Sequence, residues 1–159
     1  MRYLKKRNLY LVTSQEYSAG RDSLTVAQEA AAAGIDMLQM REKTLSRHEQ
    51  IKLGKKLSTL CARRSIVFIV NDDPVLANEV GADGVHLGQE DIKRWPATVA
   101  RKILGPDKLI GLSTHSLEQL RHAQSLKIDY CAFGPIFTTK TKNYTIGTSD
   151  IAEALAISQ

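Results

Sequence analysis

The chain has 159 residues, of which 43% are hydrophobic and 25% charged, a composition typical of one ordinary globular domain rather than of a disordered chain. Its longest apolar runs, such as SIVFIV, are too short to cross a bilayer, and the basic start MRYLKKRN leads into LYLVT instead of a signal-peptide core, so we expect a cytoplasmic protein and no membrane partner. The net charge of +5 would suit an anionic partner, but the lysines and arginines are scattered along the chain, which argues against nucleic acid.

Short apolar runs alternate with longer amphipathic segments, the pattern of a parallel sheet covered by helices. Six strands are predicted, in the order LYLVT, DMLQM, SIVFIVN, GVHLG, KLIGLST and DYCAFG. Helices are predicted over residues 24–33, 46–63, 75–80, 96–104 and 117–126, and a sixth lies in SDIAEALAISQ. Two of these helices are predicted to begin with capping boxes, Ser46 with Glu49 and Ser116 with Gln119.

The segments AGID and VGAD repeat one device. A helix is expected to end at Gly34 or Gly81, and an acidic residue then precedes the next strand. Strands this apolar must be covered on both faces, which leaves a doubly wound sheet or a (β/α)8 barrel. No linker divides the chain, so a single domain over residues 1–159 is predicted.

Polar side chains follow nearly every predicted strand. In strand order they are Thr13 and Ser14; Gln39, Arg41 and Lys43; Asn71 and Asp72; Gln89 and Asp91; and Ser113, Thr114 and His115. In a barrel, the loops after the strands build the active site at one face, and a doubly wound sheet also binds ligands at its strand ends. We therefore expect these residues to converge on one site.

The converging residues are of two chemical kinds. Asp72 and Asp91 offer hard oxygen ligands, and Mg²⁺ is commonly held by one or two carboxylates together with substrate phosphates. Donors suited to phosphate oxygens form the other group, which consists of Arg41, Lys43, Thr139, Lys140, Thr141 and Lys142. The pattern indicates a magnesium-pyrophosphate site, where cations stabilise the charge that grows on a departing pyrophosphate.

Ordinary structural roles compete with these functional ones. Asp91 could begin a short helix, and Asp72 could cap the helix that follows it. His86 in GVHLG alternates with apolar neighbours, which favours a core histidine with satisfied nitrogens over a catalytic one. His115 in STHS could do acid–base work or sit beside the start of the next helix.

Together these motifs resemble the thiamine-phosphate synthase family. The segments LYLVT, LQMREK, VND, GADGVHLGQED, IGLSTHS and DYCAFGPIFTTKTK occur in the family's order over essentially the whole chain. The most specific part is ADGVHLGQED combined with GPIF and a Thr-x-Thr-Lys run. The resemblance implies a TIM-barrel enzyme that uses Mg²⁺ to couple 4-amino-2-methyl-5-hydroxymethylpyrimidine pyrophosphate with a thiazole phosphate, giving thiamine phosphate and pyrophosphate.

The resemblance also implies residue roles. Pyrophosphate would leave first, giving a stabilised pyrimidine cation that the thiazole nitrogen captures. Arg41, Lys43 and Lys142 would be the catalytic residues, and Asp72 and Asp91 the magnesium ligands. The implied substrate-binding residues are Gln39, Arg41, Lys43 and Asn71 for the pyrimidine pyrophosphate, Ser113 for its pyrophosphate, and Thr139, Thr141 and Lys142 for the substrate phosphates.

Two features depart from the family pattern. Asp73 follows Asn71 and Asp72 where the family often has arginine, which places extra negative charge near the expected metal. A barrel needs at least roughly 200 residues, so residues 1–159 are expected to form an incomplete barrel domain with about six of its eight βα units.

The alternatives are a related thiazole tautomerase that uses His115 and a truncated, non-catalytic pyrophosphate-binding protein. A homo-oligomer is compatible with the sequence.

Overall fold

The computed structural model describes residues 9–139 and 144–158. Its strands are β1 (Tyr10–Thr13), β2 (Met37–Met40), β3 (Val67–Asn71), β4 (Gly84–Leu87), β5 (Leu109–Thr114) and β6 (Tyr130–Phe133). Its helices are α1 (Ser23–Ala33), α2 (Arg47–Arg64), α3 (Pro74–Glu79), α4 (Asp91–Arg94), α5 (Ala97–Leu104), α6 (Leu117–Gln124) and α7 (Ile151–Ile157). All six predicted strands are confirmed, and the protein is an α/β protein. No helix within these described ranges is long and apolar enough to span a membrane.

The chain divides into two compact units, of which the first ends at Val85. In this unit β1, β2 and β3 are parallel neighbours, with Thr13 opposite Met40 and Met40 opposite Val70. Every residue of β2 is buried, as is the VFIV run of β3, as expected of apolar strands covered on both faces. The carboxyl ends of the three strands therefore lie side by side, and so do the loops that follow them.

The second unit begins at His86. Its strands β5 and β6 are parallel, with Gly111 opposite Tyr130. Helix α6 contacts both of these strands and also α7, and α5 packs on β5. The core of this unit includes the fully buried side chains of Ile110, Leu112 and Leu120.

One pair of hydrogen bonds recurs just before three of the strands. The N–H of an aspartate donates to the carbonyl of a residue at the start of the preceding strand, and the aspartate carboxylate accepts from the N–H of that same residue. The pairs are Asp36 with Leu9, Asp83 with Phe68, and Asp129 with Ile110, with distances of 2.7–3.0 Å. The aspartates of AGID and VGAD therefore satisfy backbone groups at the strand starts. A third such pair was not predicted, because no helix-ending glycine precedes Asp129.

The two predicted capping boxes have different outcomes. Ser46 and Glu49 form both hydrogen bonds of the box, so the first prediction is confirmed. The Ser116 hydroxyl accepts from the Gln119 N–H, but the Gln119 side chain accepts from the N–H of His115 instead of Ser116. The second box is wrong in this half, because the glutamine side chain reaches one residue further back.

The aspartate before β6 allows a test of this recurring pair. Asp129→Ala is expected to lower the free energy of unfolding by about 2–3 kcal/mol, since it leaves the Ile110 N–H without its acceptor and the Arg101 guanidinium without the carboxylate 2.7 Å away. Urea titration measures the change. Asp107→Ala, in an exposed turn, is the matched control and should change stability by less than about 0.5 kcal/mol. An equally small effect for Asp129→Ala would contradict the contribution assigned to this pair.

Candidate active site

Two charged residues from the predicted site lie together at the carboxyl ends of β2 and β3. Since Met40 and Val70 are opposite each other, the loops after these strands start side by side. Lys43 Nζ lies 3.6 Å from Asp72 Oδ2, and the two side chains are 55% and 30% exposed. The pair is thus formed at a place that solvent and a ligand can reach.

Asp72 has an uncommon backbone conformation. Its φ is +67°, in the left-handed region, and the Asp73 N–H donates to the Asn71 carbonyl across 2.9 Å. This bond closes a three-residue γ-turn around Asp72, a rare and strained turn when the central φ is positive. Such a conformation costs on the order of 1–3 kcal/mol for a non-glycine residue, and strained residues of this kind cluster at functional sites.

Asp73, and not Asp72, caps the helix that follows the two aspartates. Its carboxylate accepts from the Leu76 N–H at 2.8 Å and so caps α3. It also lies 2.7 Å from the Arg47 guanidinium, which contacts Glu79 at 3.1 Å. The Asp73 charge is therefore paired with Arg47, and its proximity to a metal stays a prediction.

The other predicted residues of the first unit line β1, β2 and β3. Gln39 is 4% exposed, and its side-chain amide donates to the Tyr10 hydroxyl at 2.7 Å. The buried Thr13 hydroxyl donates to the Gln39 carbonyl at 3.2 Å, while the Arg41 N–H donates to the Thr13 carbonyl at 3.0 Å. Asn71 is the last residue of β3. These contacts join the ends of β1 and β2, next to which Arg41 lies.

Glu42 is a residue to which sequence analysis assigned no role. It is 6% exposed, and its carboxylate accepts from the Gln15 N–H at 3.2 Å and from the Ser23 hydroxyl. Its own carbonyl accepts from the Gln50 side chain at 2.7 Å. Glu42 therefore anchors the loop after β2 from within. The sequence contains a signal for this role. If the alternation of side chains in β2 continues beyond the strand, Glu42 points to the face opposite to that of Gln39, Arg41 and Lys43.

A hydrogen-bonded group in the second unit joins His86, Ser113 and Tyr130. The His86 ring is 6% exposed; its Nε2 lies 2.9 Å from Ser113 Oγ and its Nδ1 lies 3.2 Å from the Tyr130 hydroxyl. Burial lowers the pKa of His86 from its ordinary 6.5 to about 4, against a smaller opposing effect of the Asp91 carboxylate. The prediction of a satisfied core histidine is confirmed, but one of its partners is a residue expected to contact substrate.

Asp91 and Gln89 organise the loop after β4. Asp91 is the first residue of the short helix α4, as the structural alternative predicted, and its carboxylate accepts from the Gly88 N–H at 3.0 Å. The Gln89 side chain donates to the Ser113 carbonyl at 2.5 Å. The loop is therefore held against the carboxyl end of β5 beside Ser113.

His115 is bound to the loop that follows β6. Its Nδ1 lies 2.5 Å from the Gly134 carbonyl oxygen, which can only accept, so Nδ1 carries the proton. Its ring meets the Tyr144 ring edge-on, with centroids 5.4 Å apart. Thr139 is exposed. The predicted donors Lys140, Thr141 and Lys142 lie outside the described residues.

The donor set decides which metal could bind. In the described part of the chain, three or more His, Cys, Asp or Glu side chains are nowhere gathered into a group that could hold a metal. Mg²⁺ needs no such group, because it keeps several waters and takes one or two carboxylates plus substrate oxygens. The carboxylates of Asp72 and Asp91 are therefore donors of the type that fits Mg²⁺.

Comparison with known proteins decides the family. A family model described as thiamine monophosphate synthase matches residues 9–159. The chain belongs to this family. Two relatives, both named thiamine-phosphate synthase, come from Shouchella clausii, with 43% identity over 139 residues, and from Haloarcula marismortui, with 39% identity over 151 residues.

The two relatives are longer than this chain. The alignment covers 87% of this chain and 65% of the S. clausii protein, and 91% of this chain and 70% of the H. marismortui protein. A solved structure described as thiamine phosphate pyrophosphorylase from Pyrococcus furiosus superposes with a TM-score of 0.82 at 32% identity, over 94% of this chain and 69% of that one. The chain thus spans about two thirds of the length of these relatives, and the α/β fold is common to the family.

Proposed function

We propose that this member of the thiamine monophosphate synthase family couples a pyrimidine pyrophosphate with a thiazole phosphate to give thiamine phosphate and pyrophosphate. The observation that carries the proposal is the contact of 3.6 Å between Lys43 and Asp72 at neighbouring strand ends. A lysine ammonium suits a phosphate oxygen, and a carboxylate suits the metal that phosphates bring with them. A lysine and an aspartate placed together are what a magnesium-pyrophosphate substrate requires.

The proposed reaction makes modest demands on the protein. The bond between the pyrimidine methylene carbon and the pyrophosphate oxygen breaks, and its electron pair leaves with pyrophosphate. The thiazole nitrogen then supplies the pair for the new carbon–nitrogen bond, so no proton has to be removed. The protein must therefore stabilise negative charge on the leaving group more than it must supply a base.

The proposal divides the site residues by role, and three cations have two roles each. Arg41, Lys43 and Lys142 stabilise charge on the leaving pyrophosphate, and Asp72 and Asp91 hold Mg²⁺, which neutralises part of that charge when bound. The residues that bind substrate are Gln39, Arg41, Lys43, Asn71, Ser113, Thr139, Thr141 and Lys142. The same proposal assigns the βα units to a (β/α)8 barrel domain in a cytoplasmic enzyme, and the similarity to the P. furiosus structure supports the fold.

The tautomerase alternative gains no support from His115. Hydrogen bonding of its Nδ1 to the Gly134 carbonyl and its edge contact with Tyr144 tie the ring to the loop after β6. The neighbouring Gln119 side chain accepts from the His115 N–H at 2.7 Å, so the backbone is held as well. These contacts orient the His115 ring beside the start of α6, and the Lys43–Asp72 pair, which a tautomerase would not need, favours the coupling reaction.

Incubation of the chain with both substrates tests the proposal. We expect thiamine phosphate and pyrophosphate to appear in equal amounts, and EDTA to abolish both, as mass spectrometry and a pyrophosphate assay would measure. Calorimetry with magnesium pyrophosphate separates the remaining alternatives. Binding without coupling would replace the proposal with the non-catalytic pyrophosphate-binding protein, and the absence of both would refute the two together.

A further inference from the structure

The hydrogen bonds from Tyr130 through His86 to Ser113 form a short relay. The Tyr130 hydroxyl lies 3.2 Å from His86 Nδ1, and His86 Nε2 lies 2.9 Å from the Ser113 hydroxyl. Burial keeps the ring neutral at pH 7, since it lowers the pKa of His86 to about 4. A neutral imidazole has one N–H and one lone pair, so the relay can run in only two directions.

The two directions leave the Ser113 hydroxyl in different states. If Nε2 carries the proton, it donates to Ser113 Oγ, the Tyr130 hydroxyl donates to Nδ1, and the serine proton points to a third group. If Nδ1 carries the proton, it donates to the Tyr130 hydroxyl oxygen, and the Ser113 hydroxyl donates to Nε2. The serine then offers only lone pairs to any third group. A phosphate oxygen only accepts hydrogen bonds, so the first direction suits it and the second repels it.

We propose that Tyr130 and His86 are positioning residues that direct the hydroxyl proton of Ser113 to an anionic oxygen of the substrate. The proposal rests on the proposed function in so far as that oxygen belongs to pyrophosphate. Neither residue needs to touch the substrate, because each acts through the next hydroxyl or ring nitrogen. The buried ring fixes the direction of a serine that would otherwise rotate freely.

The strand that carries Ser113 makes room for this relay. Gly111 on β5 lies opposite Tyr130 on β6. A Cβ added at Gly111 would lie 2.2 Å from Tyr130 Cζ, 2.5 Å from the Tyr130 hydroxyl oxygen and 2.6 Å from His86 Nδ1. Real Cβ atoms essentially never approach other atoms so closely. Glycine is therefore required where the tyrosine hydroxyl meets the histidine ring, and Gly111→Ala would separate them without removing a polar atom.

The proton position can be measured without any substrate. In protein labelled with ¹⁵N-histidine, long-range proton–nitrogen spectra assign the tautomer of His86, with His86→Gln identifying its signals. We expect the Nε2–H tautomer in the wild type and a change of tautomer or of chemical shift in Tyr130→Phe. An Nδ1–H tautomer in the wild type would overturn the relay, whatever the activity of the protein.

A double-mutant cycle tests the consequence for catalysis. Tyr130→Phe is expected to reduce kcat by about 10- to 100-fold with a smaller change in KM, the size of one hydrogen bond to a charged group. In a Ser113→Ala background the same substitution should have no further effect, because the group on which the relay acts is gone. Tyr17→Phe, a half-exposed tyrosine of the first unit, is the matched control and should leave kcat unchanged.

The outcomes separate failure of the relay from failure of the proposed function. Effects of Tyr130→Phe and Ser113→Ala that multiply in the double variant would overturn the relay while leaving the coupling reaction intact. No coupling by the wild type would refute the function, and the tautomer would still decide the direction of the hydrogen bonds.

Discussion

Asp72→Asn is expected to reduce the Mg²⁺-dependent formation of thiamine phosphate by about 100-fold or more, the size of effect that follows loss of a key electrostatic group. The amide keeps the shape of the side chain but not its charge, so it is a poor magnesium ligand and cannot form the ion pair with Lys43, 3.6 Å away. Asparagine tolerates the left-handed φ of +67° better than most residues, so the γ-turn should persist. Initial rates over a range of Mg²⁺ concentrations measure the effect.

Neighbouring substitutions distinguish a metal ligand from a structural aspartate. Asp73→Asn keeps a side-chain oxygen to cap α3 and loses only the exposed ion pair with Arg47, so stability should fall by about 1 kcal/mol at most and turnover should stay within about twofold of wild type. Asp72→Gly relieves the backbone strain, so it should lose activity without loss of stability. Wild-type turnover and an unchanged Mg²⁺ requirement in Asp72→Asn would remove Asp72 from the site.

The difference between Asp72 and Asp73 marks the limit of sequence analysis. The helix after them is predicted over residues 75–80, with Asp72 as its possible cap, but the adjacent Asp73 has the same side chain and can cap it equally well. Only the γ-turn decides between them, because it directs the Asp73 carboxylate to the Leu76 N–H while Asp72 lies at Lys43. Periodicity gave the strands and helices, whereas the assignment of the two carboxylates depends on one backbone dihedral angle.

For His86, the sequence predicts the burial of the ring but not its hydrogen-bond partners. Alternation along β4 predicted a buried ring with satisfied nitrogens, which the structure confirms. Its partners come from β5 and β6, 27 and 44 residues further along the chain, and no local pattern specifies such a pairing. The sequence hints at this pairing only through Gly111, because a glycine within an apolar strand often marks a place where other atoms approach the backbone closely.

Glu42 has the largest expected effect on stability in the first unit. Glu42→Ala should lower the free energy of unfolding by about 2–4 kcal/mol, because it leaves the Gln15 N–H and the buried Ser23 hydroxyl without their acceptor. Urea titration measures this loss. Glu42→Gln, which keeps one acceptor oxygen and the side-chain volume, should lose less, and Glu16→Ala, an exposed glutamate of the same unit, should change stability by less than about 0.5 kcal/mol.

The same substitution should also affect catalysis where the protein remains folded. Glu42 lies between Arg41 and Lys43 in the chain, and its buried carboxylate fixes the backbone from which both cations extend to the proposed pyrophosphate site. At a temperature well below unfolding, kcat/KM in Glu42→Ala should therefore fall by about tenfold, since small displacements of charged groups are costly in catalysis. Ser23→Ala removes a donor to Glu42 but leaves the carboxylate in place, so its rate should stay near wild type. If Glu42→Ala loses stability without losing rate, the carboxylate supports the fold alone and the two cations are positioned by the contacts of β2.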